Sequence, residues 1–166
     1  SSTQQIFGEQ FGRAESFPLW FAVVALCAGV ASPANAILVG RLGMRSMITG
    51  TLIGQIVLSC TMVILTLIGA FSETMAFAAF VIWLIGVFAM AGLTLGNLNA
   101  MALEPVGHIA GMAASVTGAI STVLAVALAA PLGLAFDGTY LPITAGVALM
   151  AMLALGLMLT IPRSKI

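Results

Sequence analysis

Charged side chains are what this chain has least of: five Lys or Arg and five Asp or Glu among 166 residues. A water-soluble domain of that length needs a polar shell, and these are too few to build one. Apolar residues make up 61% of the chain, against about half in soluble proteins, and the mean hydropathy is +1.21. Lipid is therefore the expected solvent. A formal net charge of +0 with no cluster of Lys and Arg excludes nucleic acid as a partner, because phosphate binding needs such clusters. Cysteine is also scarce. Cys27 and Cys60 fall inside apolar runs with no CxxC and no His nearby, which excludes a zinc site or a disulfide framework and predicts two buried small hydrophobes. No P-loop, nucleophile elbow, zinc motif or dinucleotide fingerprint occurs, so no catalytic residue, metal or cofactor is expected, and the chain does not read as an enzyme. The one His, His108, follows Glu104 in "EPVGH", where Pro105 and Gly107 predict a turn that orders a loop rather than a metal site.

What is present is a series of long apolar runs. About 20 consecutive apolar residues cross a hydrocarbon core roughly 30 Å thick. Five such runs occur, near 17–39, 46–70, 76–97, 110–135 and 140–161. Barrel strands would read as short alternating segments, so the fold class is all-α: a five-helix transmembrane bundle occupying 17–166.

The few charges are sorted by side. Arg41 and Arg45 lie between spans one and two, and Arg163 and Lys165 follow span five. In an up-down bundle these places share one membrane face, and the positive-inside rule makes that face, with the C-terminus, cytoplasmic. Arg13 falls on the opposite face with Glu9, Glu15, Glu73 and Asp137, while Glu104 alone among the acids is placed inside. "GRLGMR" reads as a tight cytoplasmic turn bent by its glycines and anchored at the headgroups by its arginines. This topology puts the first residue outside, after a polar opening with no signal pattern. The expectation is that residues 1–16 are an external loop that followed a preceding helix, in a longer protein.

Inside the spans the polar groups are neutral. No Asp, Glu, Lys or Arg lies mid-span, where each would cost about 2.5–3.5 kcal/mol, so a proton-carrying carboxylate is not expected here. Pro33 and Pro131 predict kinks in spans one and four. Asn35, two residues beyond Pro33, either satisfies backbone groups freed by the kink or contacts a substrate. Asn97 and Asn99 serve either interfacial capping or ligand contact. Trp83 sits away from the headgroup belt, as a cavity wall or as packing against lipid or a neighbouring helix. Small residues recur at helical spacing, Gly50 and Gly54, Gly92 and Gly96, and Gly107, Gly111, Ser115, Gly118 and Thr122, a pattern that lets helix backbones approach closely.

Two stretches resemble a known family. "NAILVGRLGMRSMI" is similar to the connector between the eighth and ninth helices of major facilitator superfamily transporters. "GNLNAMALEPVGHIAGMAASVTGAI" resembles the end of the tenth helix, the following loop and the start of the eleventh in Bcr/CflA-like drug:proton antiporters, with "GMAASV" carrying most of the likeness. The likeness covers essentially the whole chain. Gly40 stands where the family's arginine-rich motif carries an Asp, and Ala36 replaces its leading Gly.

The resemblance implies most of the C-terminal half of a major facilitator fold, helices eight to twelve of a proton-coupled exporter of small amphipathic compounds in a bacterial inner membrane. It implies that spans one, three and four border the central cavity. Asn35, Trp83, Ser115 and Thr122 are then the substrate-cavity candidates, with Arg41 and Arg45 on a cytoplasmic gate loop. The partners are membrane lipid, a small-molecule substrate, and the missing N-terminal helices, without which this chain would not transport. The alternative is a stand-alone structural or assembly protein that pairs through its small-residue faces into a homo-oligomer.

Overall fold

The computed structural model describes residues 2–161, and every regular element among them is helical. Arg163 and Lys165 lie outside the described residues. Four continuous helical stretches are long and apolar enough to cross a membrane, Phe17–Leu42, Met44–Leu67, Glu73–Leu134 and Leu141–Thr160, so the chain is an integral membrane protein. The third runs for 62 residues, about 93 Å if straight at 1.5 Å per residue, roughly three times the hydrocarbon thickness. It is divided at "EPVGHI" into α5 (Glu73–Leu103) and α6 (Ala110–Leu134), joined by a 3-10 segment whose Val106 has non-helical torsions of φ −120° and ψ 30°. Each arm is long enough to span alone, and the five predicted runs are recovered within a few residues.

The first run is two helices, α2 (Phe17–Gly29) and α3 (Ala31–Leu42). Pro33 has no N–H to give the carbonyl of Gly29, and its ring crowds that carbonyl, which places the break four residues upstream of the proline. The ladder resumes when the Ala34 N–H donates to Val30 O at 3.1 Å. Pro131, by contrast, leaves α6 continuous to Leu134. The predicted "GRLGMR" turn narrows to Gly43, whose φ of 78° and ψ of 152° suit only glycine. Gly40 stays helical within α3, and α4 (Met44–Leu67) begins at once.

Helix α4 packs against both α5 and α7 (Leu141–Thr160), while α2 and α3 also pack on α5. Contacts at both ends fix α4 and α7 as antiparallel. Arg45 at the start of α4 binds the end of α7, and the Thr66 and Tyr140 hydroxyls meet at 2.9 Å at the other end. Arg41, Arg45, Glu104 and His108 therefore share one end of the bundle, and Arg13, Glu73 and Asp137 the other, as the charge pattern predicts.

Residues 2–16 are more than a polar connector. α1 (Ser2–Gln5) passes into a π-helical turn (Ile6–Gln10), and Ile6, Phe7 and Phe11 are buried against the ends of α2, α5 and α7. Phe7 packs edge-on against Phe17 and Phe77, with ring centroids 5.2 and 5.5 Å apart, and Phe11 stacks on Tyr140 at 5.9 Å. The Gln10 side-chain carbonyl accepts the Tyr140 N–H at 2.6 Å. The Arg13 guanidinium lies 4.3 Å from the Phe77 ring centre, a cation–π contact that suits a charge at the edge of an apolar site.

Helix α6 is the exception to this packing: its 25 residues include none that is buried. Cys27 is also exposed on α2, contrary to the expectation of two buried cysteines, and Cys60 is half-buried.

Candidate functional site

The polar side chains of the spans form two interhelical clusters. In the first, Asn35 on α3 and Asn97 on α5 face each other. Asn97 Nδ2 donates to Asn35 Oδ1 at 2.7 Å and to Leu93 O at 2.8 Å, and Asn35 Nδ2 donates back to Asn97 Oδ1 at 3.5 Å. Both hydrogens of the Asn97 amide are used, as befits a buried amide in an apolar solvent where an unmade bond is costly. Asn35 thus bonds to another helix rather than to the backbone at its own kink. Asn99 is exposed. Close approach of the helices makes the pair possible. A side-chain carbon on Gly92 would come within 3.3 Å of the Ala31 Cβ, so only two small residues let the kink rest on α5 at this distance.

In the second cluster Trp83 Nε1 donates to Ser59 Oγ at 2.8 Å, and Gln55 Nε2 donates to the same oxygen at 3.2 Å. Trp83 is 1% exposed and stacks on Phe80 at 5.7 Å. It lies inside the contact between α4 and α5, which is a packing position rather than a cavity wall. Gln55 and Ser59, one turn apart on α4, are the reason: they supply the acceptor and the bonded neighbour that a buried indole N–H requires. Gly86 completes the seam, since a Cβ there would meet the Leu58 side chain at 2.7 Å and the Gln55 Oε1 at 3.0 Å.

Ser115 and Thr122 stand on α6 and are exposed. Their hydroxyls donate to the carbonyls one turn back, Gly111 O at 3.0 Å and Gly118 O at 2.8 Å, which satisfies them without a partner helix. The four cavity candidates are therefore split among two interhelical clusters and one open helix. A cavity of about 1170 Å³ opens at the Arg45 end, and none of the four lines it.

Arg45 does line that cavity. Its Nη1 donates to Ile161 O at 2.7 Å and its Nη2 to Met158 O at 3.0 Å. The last turn of α7 has no basic residue of its own. Arg45 supplies the cation that the carbonyl end of a helix favours, so it ties α4 to α7 within the bundle. Arg41, one turn earlier on α3, is exposed. Among the described residues no group of three His, Cys, Asp or Glu side chains is placed to hold a metal.

No family model, curated protein or solved structure matches this chain. What it does has to be read from its own helices and the chemistry they carry.

At the opposite end, Asp137 closes the turn before α7. Its Oδ1 accepts the Thr139 hydroxyl at 2.7 Å and the Thr139 N–H at 2.9 Å. The side-chain bond first, then the backbone bond, hold the carboxyl below its usual range. A folded-state pKa below the unfolded one contributes stability that is present above the unfolded value and is lost as pH falls through the folded one. Thr139→Val is expected to raise the Asp137 pKa in a carboxyl NMR titration. An unchanged titration would show that the hydroxyl bond does not hold the charge.

Proposed function

We propose that the chain forms part of a proton-coupled exporter of small amphipathic compounds, as the C-terminal wall of a two-bundle transporter in a bacterial inner membrane. One observation carries this reading. α6 is a span-length helix with no buried residue, yet it bears Gly111, Ser115, Gly118, Ser121 and Thr122. Helices that meet only lipid have no need of small residues, whereas small residues at helical spacing let another helix or a ligand approach the backbone. An opposing bundle laid against α6 would leave a hydroxyl-bearing surface at mid-membrane, where two-bundle transporters bind substrate. Ser115 and Thr122 are then the substrate-facing residues. Asn35 and Trp83 act as internal ties that keep the wall rigid. The end bearing Arg41 and Arg45 faces the cytoplasm, and proton binding belongs to the opposing bundle, because mid-span carboxylates are lacking here.

The test uses the product of the complete reading frame in cells stripped of other exporters, with a fluorescent amphipathic cation as substrate. Expression should lower dye accumulation. Thr122→Trp should abolish that effect at unchanged membrane abundance, and the present chain alone should have no effect. Equal accumulation with and without the complete protein would refute export. A cysteine at position 118 that links two copies of the protein would instead assign the face of α6 to a homo-oligomer.

A further inference from the structure

A small cavity opens at the other end of the bundle, where residues 2–16 dock on the start of α5. Its volume is about 230 Å³, and Phe11, Arg13, Glu73, Thr74 and Phe77 line it. Sites for whole drug-sized molecules run to about 300–1,000 Å³, so this one takes the polar end of a molecule. Phe11 and Phe77 are buried, whereas Arg13, Glu73 and Thr74 are exposed and open to a ligand. One cation and one anion thus border the same space, from different elements. The Arg13 guanidinium rests on the Phe77 ring at 4.3 Å, and no carboxylate among the described residues forms an ion pair with it. A ring contact does not consume all five N–H donors of a guanidinium, so donors remain for an anion. Glu73 opens α5, and Trp20 and Tyr140 stand near the starts of α2 and α7, aromatic positions that suit the headgroup level of a membrane.

We propose that this cavity holds the headgroup of a phospholipid carrying both a phosphate and a primary ammonium. The phosphate lies toward Arg13 and the Thr74 hydroxyl, and the ammonium toward Glu73. Charge complementarity chooses this occupant. Glu9, Glu15 and Asp137 share this end with Glu73 and stand against Arg13, so a headgroup with a net negative charge is repelled. A choline headgroup has no N–H to donate to a carboxylate and is best held by open aromatic faces. The rings here are already occupied, Phe77 by Phe7, Phe11, Trp20 and Arg13, and Phe11 by Phe80 and Tyr140. A primary ammonium makes charge-assisted hydrogen bonds to a carboxylate. Leu19 and Met75, exposed in the first turns of α2 and α5, offer acyl chains an apolar contact that a soluble phosphate ester does not use. The proposal does not depend on the transport reading, since it needs only a chain embedded in a bilayer.

The full chain is to be purified in micelles holding equal amounts of phosphatidylethanolamine, phosphatidylcholine and phosphatidylglycerol, and the retained lipid counted by native mass spectrometry. Retention of phosphatidylethanolamine should exceed that of each other lipid about fivefold, the ratio equivalent to ~1 kcal/mol for one charge near a membrane surface. Glu73→Gln changes an exposed residue outside the core and should remove the preference over phosphatidylcholine, with helicity unchanged. Thr74→Phe, also at an exposed position, fills the cavity and should lower retention of phosphatidylethanolamine to the level of the other two. Equal retention by the unaltered chain, a preference for phosphatidylcholine or phosphatidylglycerol, or an undiminished preference in either variant would overturn the proposal. Displacement of the lipid by free phosphorylethanolamine would overturn it as well, by assigning the cavity to a soluble compound.

Discussion

Trp83→Ala is expected to destabilise the bundle by about 3–5 kcal/mol, the range for emptying a buried Trp or Phe site. In lipid the loss is mainly one of contact, because the indole is 1% exposed in the seam between α4 and α5 and the space it leaves is enclosed. Trp83 is the largest of the fully buried side chains, with Phe80 stacked on it and Ser59 bonded to it. Trp83→Phe separates packing from hydrogen bonding. It keeps most of the ring and removes the N–H, so it should cost about 0.6–2 kcal/mol, the scale of an interhelical hydrogen bond in a membrane protein. Reversible unfolding of the two variants in mixed micelles measures the difference. If both fall within about 0.5 kcal/mol of the unaltered chain, Trp83 is not a packing residue and its reading as a cavity wall returns.

Phe7→Ala tests the other large effect, the docking of residues 2–16. The α1 segment is four residues long, far below the length at which a helix is stable alone, so its order depends on side chains buried elsewhere. Phe7 is the main one, 1% exposed and in contact with the rings of Phe17, Phe77 and Phe80. Its removal should cost up to about 3–5 kcal/mol, limited by the free energy of undocking the segment as a unit. Arg13 lies near the end of this segment, four residues before α2 begins at Phe17, and supplies the readout. Trypsin should release a fragment ending at Arg13 many times faster from Phe7→Ala than from the unaltered chain, while the melting of the span helices changes less. An unchanged rate would mean that Phe11, Ile6 and the bond from Tyr140 N–H to Gln10 hold the segment without Phe7.

Both effects fall on residues whose partners lie far away in sequence, and this marks where sequence reasoning stops. Ser59 and Trp83 are 24 positions apart, Asn35 and Asn97 are 62 apart, and Gln10 and Tyr140 are 130 apart. Each residue was visible as a neutral polar group or an aromatic in an apolar setting, but its partner depends on how neighbouring helices are rotated about their axes. The glycines make the same point. Gly50, Gly54, Gly96, Gly111 and Gly118 follow the small-residue spacing, yet a Cβ at any of them would meet nothing within 4 Å. Gly86 belongs to no such spacing and is the glycine that α4 and α5 close upon. The side chain of Leu132 likewise lies against Gly146, which joins α6 to α7. Spacing shows where backbones are able to approach, and rotation decides whether they do. For residues 2–16 a signal was available, since Phe7 and Phe11 stand one helical turn apart and Ile6 adjoins them.

The sequence by itself determined the solvent, the five runs, the breaks at Pro33 and Gly43, and the sorting of charges to two ends. Each of these follows from a local rule: a backbone in lipid must bond to itself, a span needs about 20 apolar residues, and ions stay at the surface. Only the tertiary structure decided that Asn35 bonds to Asn97, that Trp83 is sealed in by Ser59 and Gln55, that Arg45 closes the end of α7, and that α6 stands open. Hydrocarbon is as apolar as the side chains themselves, so hydrophobicity does not rank one face of these helices over another. Steric fit and hydrogen bonding between helices do, and both exist only once the helices are side by side.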